Sequence, residues 1–146
     1  MGTPALLKVK DEVGQTIVCI YAQCDGYPED FGKDVVDWLS GRRVVNGIGQ
    51  ETDLRSNGMS ELAAHLVVFL KSSSPNGHYY LVPDKGWEVE YVYELFPDRS
   101  ESFYVGMCDR LNFKVLGWGP AANKDIQLYL GKVSDYYEFL HSQKEV

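Results

Sequence analysis

The passage that most constrains this chain is Tyr21–Leu39, YAQCDGYPEDFGKDVVDWL, where an apolar strand stops at Asp25-Gly26-Tyr27-Pro28 and an amphipathic helix starts. Pro28 supplies a fixed φ suited to a first helical turn, and Glu29 and Asp30 place negative charge at the positive end of the helix dipole. Phe31, Val35, Trp38 and Leu39 recur at i, i+4, i+7 and i+8, which makes one apolar face, and Gly41 is placed to end the helix. Strand-to-helix corners of this kind tend to carry exposed polar groups, so the corner is the first place to look for a site.

The strand that feeds the corner, Gln15–Gln23, is apolar on both faces through Ile17, Val18, Cys19, Ile20 and Tyr21, as a central strand should be. A preceding strand, Ala5–Lys10, joins it through Asp11-Glu12-Val13-Gly14, with Gly14 suited to the positive φ of a tight hairpin. Residues 42–57 lose periodicity and read as a long loop. A second helix is predicted over about Ser60–Lys71, with Met59, Leu62, Ala63, Leu66, Val67 and Leu70 buried and Asn57 or Ser60 as its cap.

Beyond the Ser72–Gly77 break, HYYLVPD and EVEYVYELF read as two antiparallel strands turned at Pro83-Asp84-Lys85-Gly86. Val89, Tyr91, Tyr93 and Leu95 would form the core face of the second, with Glu88, Glu90 and Glu94 facing solvent. SFYVGMC and LNFKVLGWG are two further strand candidates. Asn123 then looks like the cap of a terminal helix carrying Ile126, Leu130, Val133, Tyr137 and Leu140. The order β-β-α-α-β-β-β-β-α predicts one α+β domain over residues 1–146, with an antiparallel sheet of about six strands and three helices.

Composition narrows the function classes. A net charge of −7 argues against a nonspecific grip on nucleic acid or anionic lipid. The start of the chain reaches charge within a few residues, with neither a signal peptide nor a membrane span, and Leu6 stands where a myristoylation signal needs Ser or Thr. Cys19, Cys24 and Cys108 form no C-x-x-C pair, which suits a reducing cytosol and offers no zinc knuckle. His65, His78 and His141 make no paired zinc motif, so no metal and no cofactor is expected.

Several residues could carry chemistry. Asp25 and Tyr27 present a carboxylate and a hydroxyl at the corner; in a purely structural role, Asp25 closes an Asx-type turn, Gly26 takes a conformation that a larger residue would resist, and Tyr27 packs on the sheet rim. Arg42, Arg43 and Arg55, with Asn57 and the glycines of Asn46–Gly49, offer donors for an anion, against the alternative of solvated surface side chains. Cys24 lies near a helix N-terminus and could meet His78 and Asp25 only through tertiary folding. His65 reads as a partly buried polar residue beside its helix's apolar face, and the many tyrosines divide between core packing and an interface patch.

Asp25-Gly26-Tyr27-Pro28, Gly32, Asn57-Gly58-Met59 followed by Leu62-Ala63-Ala64, and Tyr91-Val92-Tyr93 together resemble a family of small uncharacterised proteins of bacteriophages and bacteria. The similarity spans about Ile17–Leu95 and implies an intracellular accessory protein with no activity to transfer. Two functions follow from the residues. The first is a non-enzymatic binding module, with a possible homo-oligomeric state, that meets a protein or an anionic small molecule through Asp25, Tyr27, Arg42, Arg43, Arg55 and Asn57. The alternative is a small hydrolase or transferase assembled from Cys24, Asp25 and His78.

Overall fold

The computed structural model describes residues 2–45, 55–86, 88–97, 105–107, 111–117 and 126–143. The fold is α+β. Strands β1 (Ala5–Lys10), β2 (Thr16–Ala22), β5 (Tyr79–Leu81), β6 (Tyr91–Pro97), β8 (Leu111–Gly117) and β9 (Ile126–Lys132) form a six-stranded sheet in the order β5-β2-β1-β6-β8-β9. Helices α1 (Lys33–Leu39), α2 (Gly58–Ser73) and α3 (Tyr136–Gln143) supply the apolar side chains that meet one face of it. A small second sheet joins β3 (Arg43–Val45) to β4 (Arg55–Asn57) and β7 (Val105–Met107).

The β1–β2 hairpin forms as its turn chemistry predicts. The Asp11 carboxylate accepts from the Val13 and Gln15 amides at 3.0 and 2.8 Å, and Gly14 takes a φ of 87°. Alternation then divides the sheet. Ala5, Leu7, Val9, Ile20, Tyr93, Leu95, Phe113 and Val115 enter the core under the helices, while Leu6, Cys19 and Val89 form a smaller cluster. Truncating one of these core side chains, such as Leu66 of α2, which is fully buried, costs about 2–5 kcal/mol.

The sheet is mixed where an antiparallel one was predicted, because β1 and β6 run parallel. The stretch after β5 does not turn back as a hairpin. It runs to the far side of β1: the Val82 amide bonds the Cys19 carbonyl, Asp84 meets Lys8 at 3.0 Å and Thr16 at 2.5 Å, and the Glu90 amide bonds the Pro4 carbonyl. Val89 belongs to this crossing and packs with Leu6 and Cys19, not with Tyr93 and Leu95. Glu94 is not simply solvated either, since it pairs with Lys10 at 2.6 Å.

Two other boundaries differ from expectation. Ile126–Lys132, assigned by its spacing to a terminal helix, is the edge strand β9 paired with β8, and α3 starts only at Tyr136 after a single 3₁₀ turn. The segment IQLYLGK alternates as well as it recurs at threes and fours, and the open edge of β8 decides between the two periods. Asn123 lies outside the described residues. The predicted loop 42–57 carries β3 and β4 at its ends, and residues 46–54, including Asn46–Gly49, lie outside the described residues.

Candidate functional site

The corner is built from both ends. Asp25 adopts a φ of 58°, so the positive backbone angle falls on Asp25 and not on Gly26. Gly26 is required for space instead: a β-carbon there would lie 2.6 Å from both the Ala5 side chain and the Thr3 carbonyl oxygen. The Gly26 amide donates to that same Thr3 carbonyl at 2.7 Å. Pro28–Gly32 then winds as one π-turn, with the Gly32 amide reaching back to the Tyr27 carbonyl, before α1 continues from Lys33.

Two buried tyrosines hold this turn from below. Tyr93 of β6 donates its hydroxyl to the Gly26 carbonyl at 2.6 Å, and Tyr136 of α3 donates to the Pro28 carbonyl at 2.7 Å. Burial, followed by the neighbouring ionisable groups, drives both phenols far above the ordinary tyrosine value, so both stay protonated donors. Phe31 meets Tyr93 edge-on at 5.4 Å, and Tyr93 stacks on Phe113 at 5.6 Å. Among the tyrosines, Tyr93 and Tyr136 are fully buried, whereas Tyr27, Tyr80 and Tyr137 are exposed.

Across from the corner, the α2–β5 connection brings in His78. Its φ is 71°, and Asp25 and His78 are the non-glycine residues with positive φ among those described. Such conformations cost about 1–3 kcal/mol each and concentrate where a site needs a particular geometry. The Gln23 amide bonds the His78 carbonyl at 2.8 Å, which fixes the two strand ends side by side. Cys24 Sγ and His78 Nδ1 consequently lie 3.1 Å apart, with the Tyr79 ring set edge-on against the imidazole at 4.1 Å. Cys24 and His78 are both half-buried, and Cys24 is a free thiol.

His78 also lines a cleft of about 720 Å³ between the corner and the α2–β5 connection. Asp25, Asp30 and Asp34 stand on the corner side, the buried Phe31 and Tyr79 lie against it, and Ser73–Asn76 form the opposite side. Partial burial, then the nearby charges of Asp37 and Asp30, raise the Asp34 carboxyl above its ordinary value. Burial, then the charges of Asp34, Cys24 and Asp25, push Tyr79 up to about 12. Among the described residues no group of three His, Cys, Asp or Glu side chains is gathered closely enough to hold a metal ion.

The remaining predicted site residues sit elsewhere. Tyr27 is exposed and its ring centroid lies 6.1 Å from that of Tyr91 at the sheet rim. Arg42 is at the other end of α1, on the order of 15 Å along the helical segment from the corner; its guanidinium lies 3.8 Å over the Trp38 ring and its Nε donates to the Trp38 carbonyl. Arg43 and Arg55 face one another as a backbone pair between β3 and β4. Asn57 precedes α2 and gives its backbone amide to the Glu61 carboxylate at 2.7 Å. His65 is exposed rather than partly buried, 3.9 Å from Glu61.

Asp30, Asp34 and the Ser73–Asn76 segment were missed by sequence reasoning. Asp30 and Asp34 had a signal, since they lie one turn apart beside the corner, but nothing local indicated that the end of α2 would face them. No protein-family model matches the chain, and no curated protein or solved structure matches it.

Proposed function

We propose that this chain is a thiol-dependent hydrolase or acyl transferase in which Cys24 is the nucleophile and His78 its base. The observation that carries this reading is the 3.1 Å separation of Cys24 Sγ from His78 Nδ1, on a histidine that also lines a cleft. Nucleophile and base within hydrogen-bond reach are the geometric core of covalent acyl transfer. In the first step the thiol proton passes to His78 Nδ1 as sulfur attacks an acyl carbon. The tetrahedral adduct collapses to a thioester, and the leaving group departs with the proton from His78. In the second step His78 removes a proton from water or another acceptor, which attacks the thioester and returns the sulfur as a thiol.

The test is acylation by p-nitrophenyl acetate, with the modified peptide identified by mass spectrometry. The acetyl group is expected on Cys24 and not on buried Cys19, with the rate falling at least tenfold in His78→Ala and vanishing in Cys24→Ala. Equal rates of modification with and without His78 would remove the mechanism.

A non-enzymatic binding module is the second reading, favoured by the size of the cleft and by its aromatic and carboxylate lining. It predicts ligand binding that Cys24→Ala leaves intact. The free thiol suits the reducing cytosol of either reading, and no described helix is long and apolar enough to cross a membrane. An accessory role in a bacteriophage or bacterium rests on the resemblance of the corner and α2 motifs.

A further inference from the structure

A second hollow, of about 380 Å³, lies where the C-terminal end of α2 meets β5, the outermost strand of the six-stranded sheet. Its floor is apolar and buried, built from Ile20, Leu70 and Tyr79. Its lip is apolar but open to water: on this three-residue edge strand Tyr80 is 46% exposed and Leu81 is 62% exposed. Apolar surface left in water beside an apolar hollow is the signature of a ligand site. The hollow shares Tyr79, and no other described lining residue, with the cleft of His78.

Lys71 is the one charged residue among the described residues that line this hollow. A lysine in the last turn of a helix ordinarily serves the helix's own terminal carbonyls. Here the Ser73 hydroxyl and the Ser74 amide take the Leu70 carbonyl, at 2.8 and 3.1 Å. Lys71 Nζ turns instead to the Tyr79 carbonyl, at 3.3 Å, and no carboxylate pairs with it among the described residues. Lys8, Lys10 and Lys33, by contrast, each hold an Asp or Glu at 2.6–3.0 Å. We infer that the hollow binds a small amphiphilic carboxylate, a medium-chain fatty acid, with its alkyl chain over Ile20, Leu70 and Leu81 and its carboxylate on the Lys71 ammonium. The half-buried position of Lys71 keeps its charge less screened than one standing free in water. The volume lies near the small end of ligand pockets, about 300–1,000 Å³, which suits a single unbranched chain. The site is independent of the Cys24–His78 reading and stands whether or not that pair is catalytic.

The test titrates the isotope-labelled full chain with octanoate, octanol and octylamine, which share a chain and differ in the head group, and follows the backbone amide resonances. Octanoate is expected to saturate one site, to shift the amides of Val67, Leu70, Lys71 and Tyr79–Leu81, and to bind at least tenfold more tightly than octylamine. From butanoate to octanoate each added methylene should tighten binding by about twofold to fourfold. Lys71→Met keeps the aliphatic stem and removes the charge, so it should cost octanoate at least tenfold and leave octanol unchanged. Leu81→Gln, at the exposed lip, should weaken both. The two substitutions fall on partly exposed side chains, and the chain-length series on the unsubstituted protein decides the matter without them. Shifts that never saturate or that fall outside the hollow, an affinity indifferent to chain length, or a folded Lys71→Met protein that binds octanoate unchanged would each overturn the site.

Discussion

The Tyr93 hydroxyl hangs the Gly26 carbonyl from the middle of the sheet, at 2.6 Å, and Tyr136 does the same for Pro28 from α3. The corner is thereby supported from its buried side. Tyr93→Phe keeps the ring packing and leaves a buried carbonyl without its donor, a loss of about 1–3 kcal/mol. Urea unfolding of Tyr93→Phe, Tyr136→Phe and the double variant should show both single losses and a non-additive pair, because one turn is held by both. Strict additivity would mean that the two hydroxyls act on separate structures.

Glycine substitution separates space from backbone freedom. At Gly26 the obstacle to a side chain is partly the Thr3 backbone, and at Gly32 it is the Tyr136 hydroxyl and the Tyr93 ring. Gly26→Ala and Gly32→Ala should lower the melting temperature by several degrees or abolish soluble folding, and Gly32→Ala should displace Tyr136 from Pro28. Gly86, with open space around it, is the control. A melting temperature for Gly26→Ala equal to that of Gly86→Ala would contradict the packing described for the corner.

Asp84 links the crossing segment to the hairpin. Its hydrogen bonds from Thr16 and then from Lys8 hold the carboxyl below its ordinary value of 3.8. A depressed carboxylate contributes stability above its unfolded value, and that contribution is lost as pH falls through the folded value. Asp84→Asn should therefore destabilise the protein at pH 7, by about 1 kcal/mol or less because the pair is partly exposed. Melting curves of the two proteins should converge as pH falls through that lowered value.

Asp34 has the opposite sign. Partial burial and then neighbouring carboxylates raise its folded value above 3.8, so ionisation opposes folding once pH exceeds that raised value. Asp34→Asn should raise the melting temperature slightly at pH 7, with the advantage disappearing below the unfolded value.

Much of the fold was legible because its local signals agreed. Gly14, Pro28, Gly41 and the Phe31–Leu39 spacing each act within a few residues, and each governs the element predicted from it. The errors came where a segment's partner is remote. IQLYLGK fits either period until the edge of β8 is known, and the Val82–Glu90 segment reads as a hairpin turn until its contacts with Cys19, Lys8 and Pro4 are seen. The site divides the same way. Cys24 and Asp25 were visible as a strand end beside a turn, whereas their meeting with His78 depends on β5 pairing with β2, and the role of Gly26 depends on the approach of Thr3 and Ala5.

The parallel pairing of β1 with β6 has a consequence for biosynthesis. Ala5 finds its partner only at Tyr91, so the ribosome must deliver most of the chain before the first strand can be flanked on both sides. Closing so long a loop is entropically costly and slows folding. Until then the β1–β2 hairpin carries an unsatisfied edge and the apolar side chains Leu6, Leu7 and Val9, which makes the nascent N-terminal half a client for chaperones. Stalled or truncated products ending before residue 91 should accordingly be the forms that aggregate in an expressing cell.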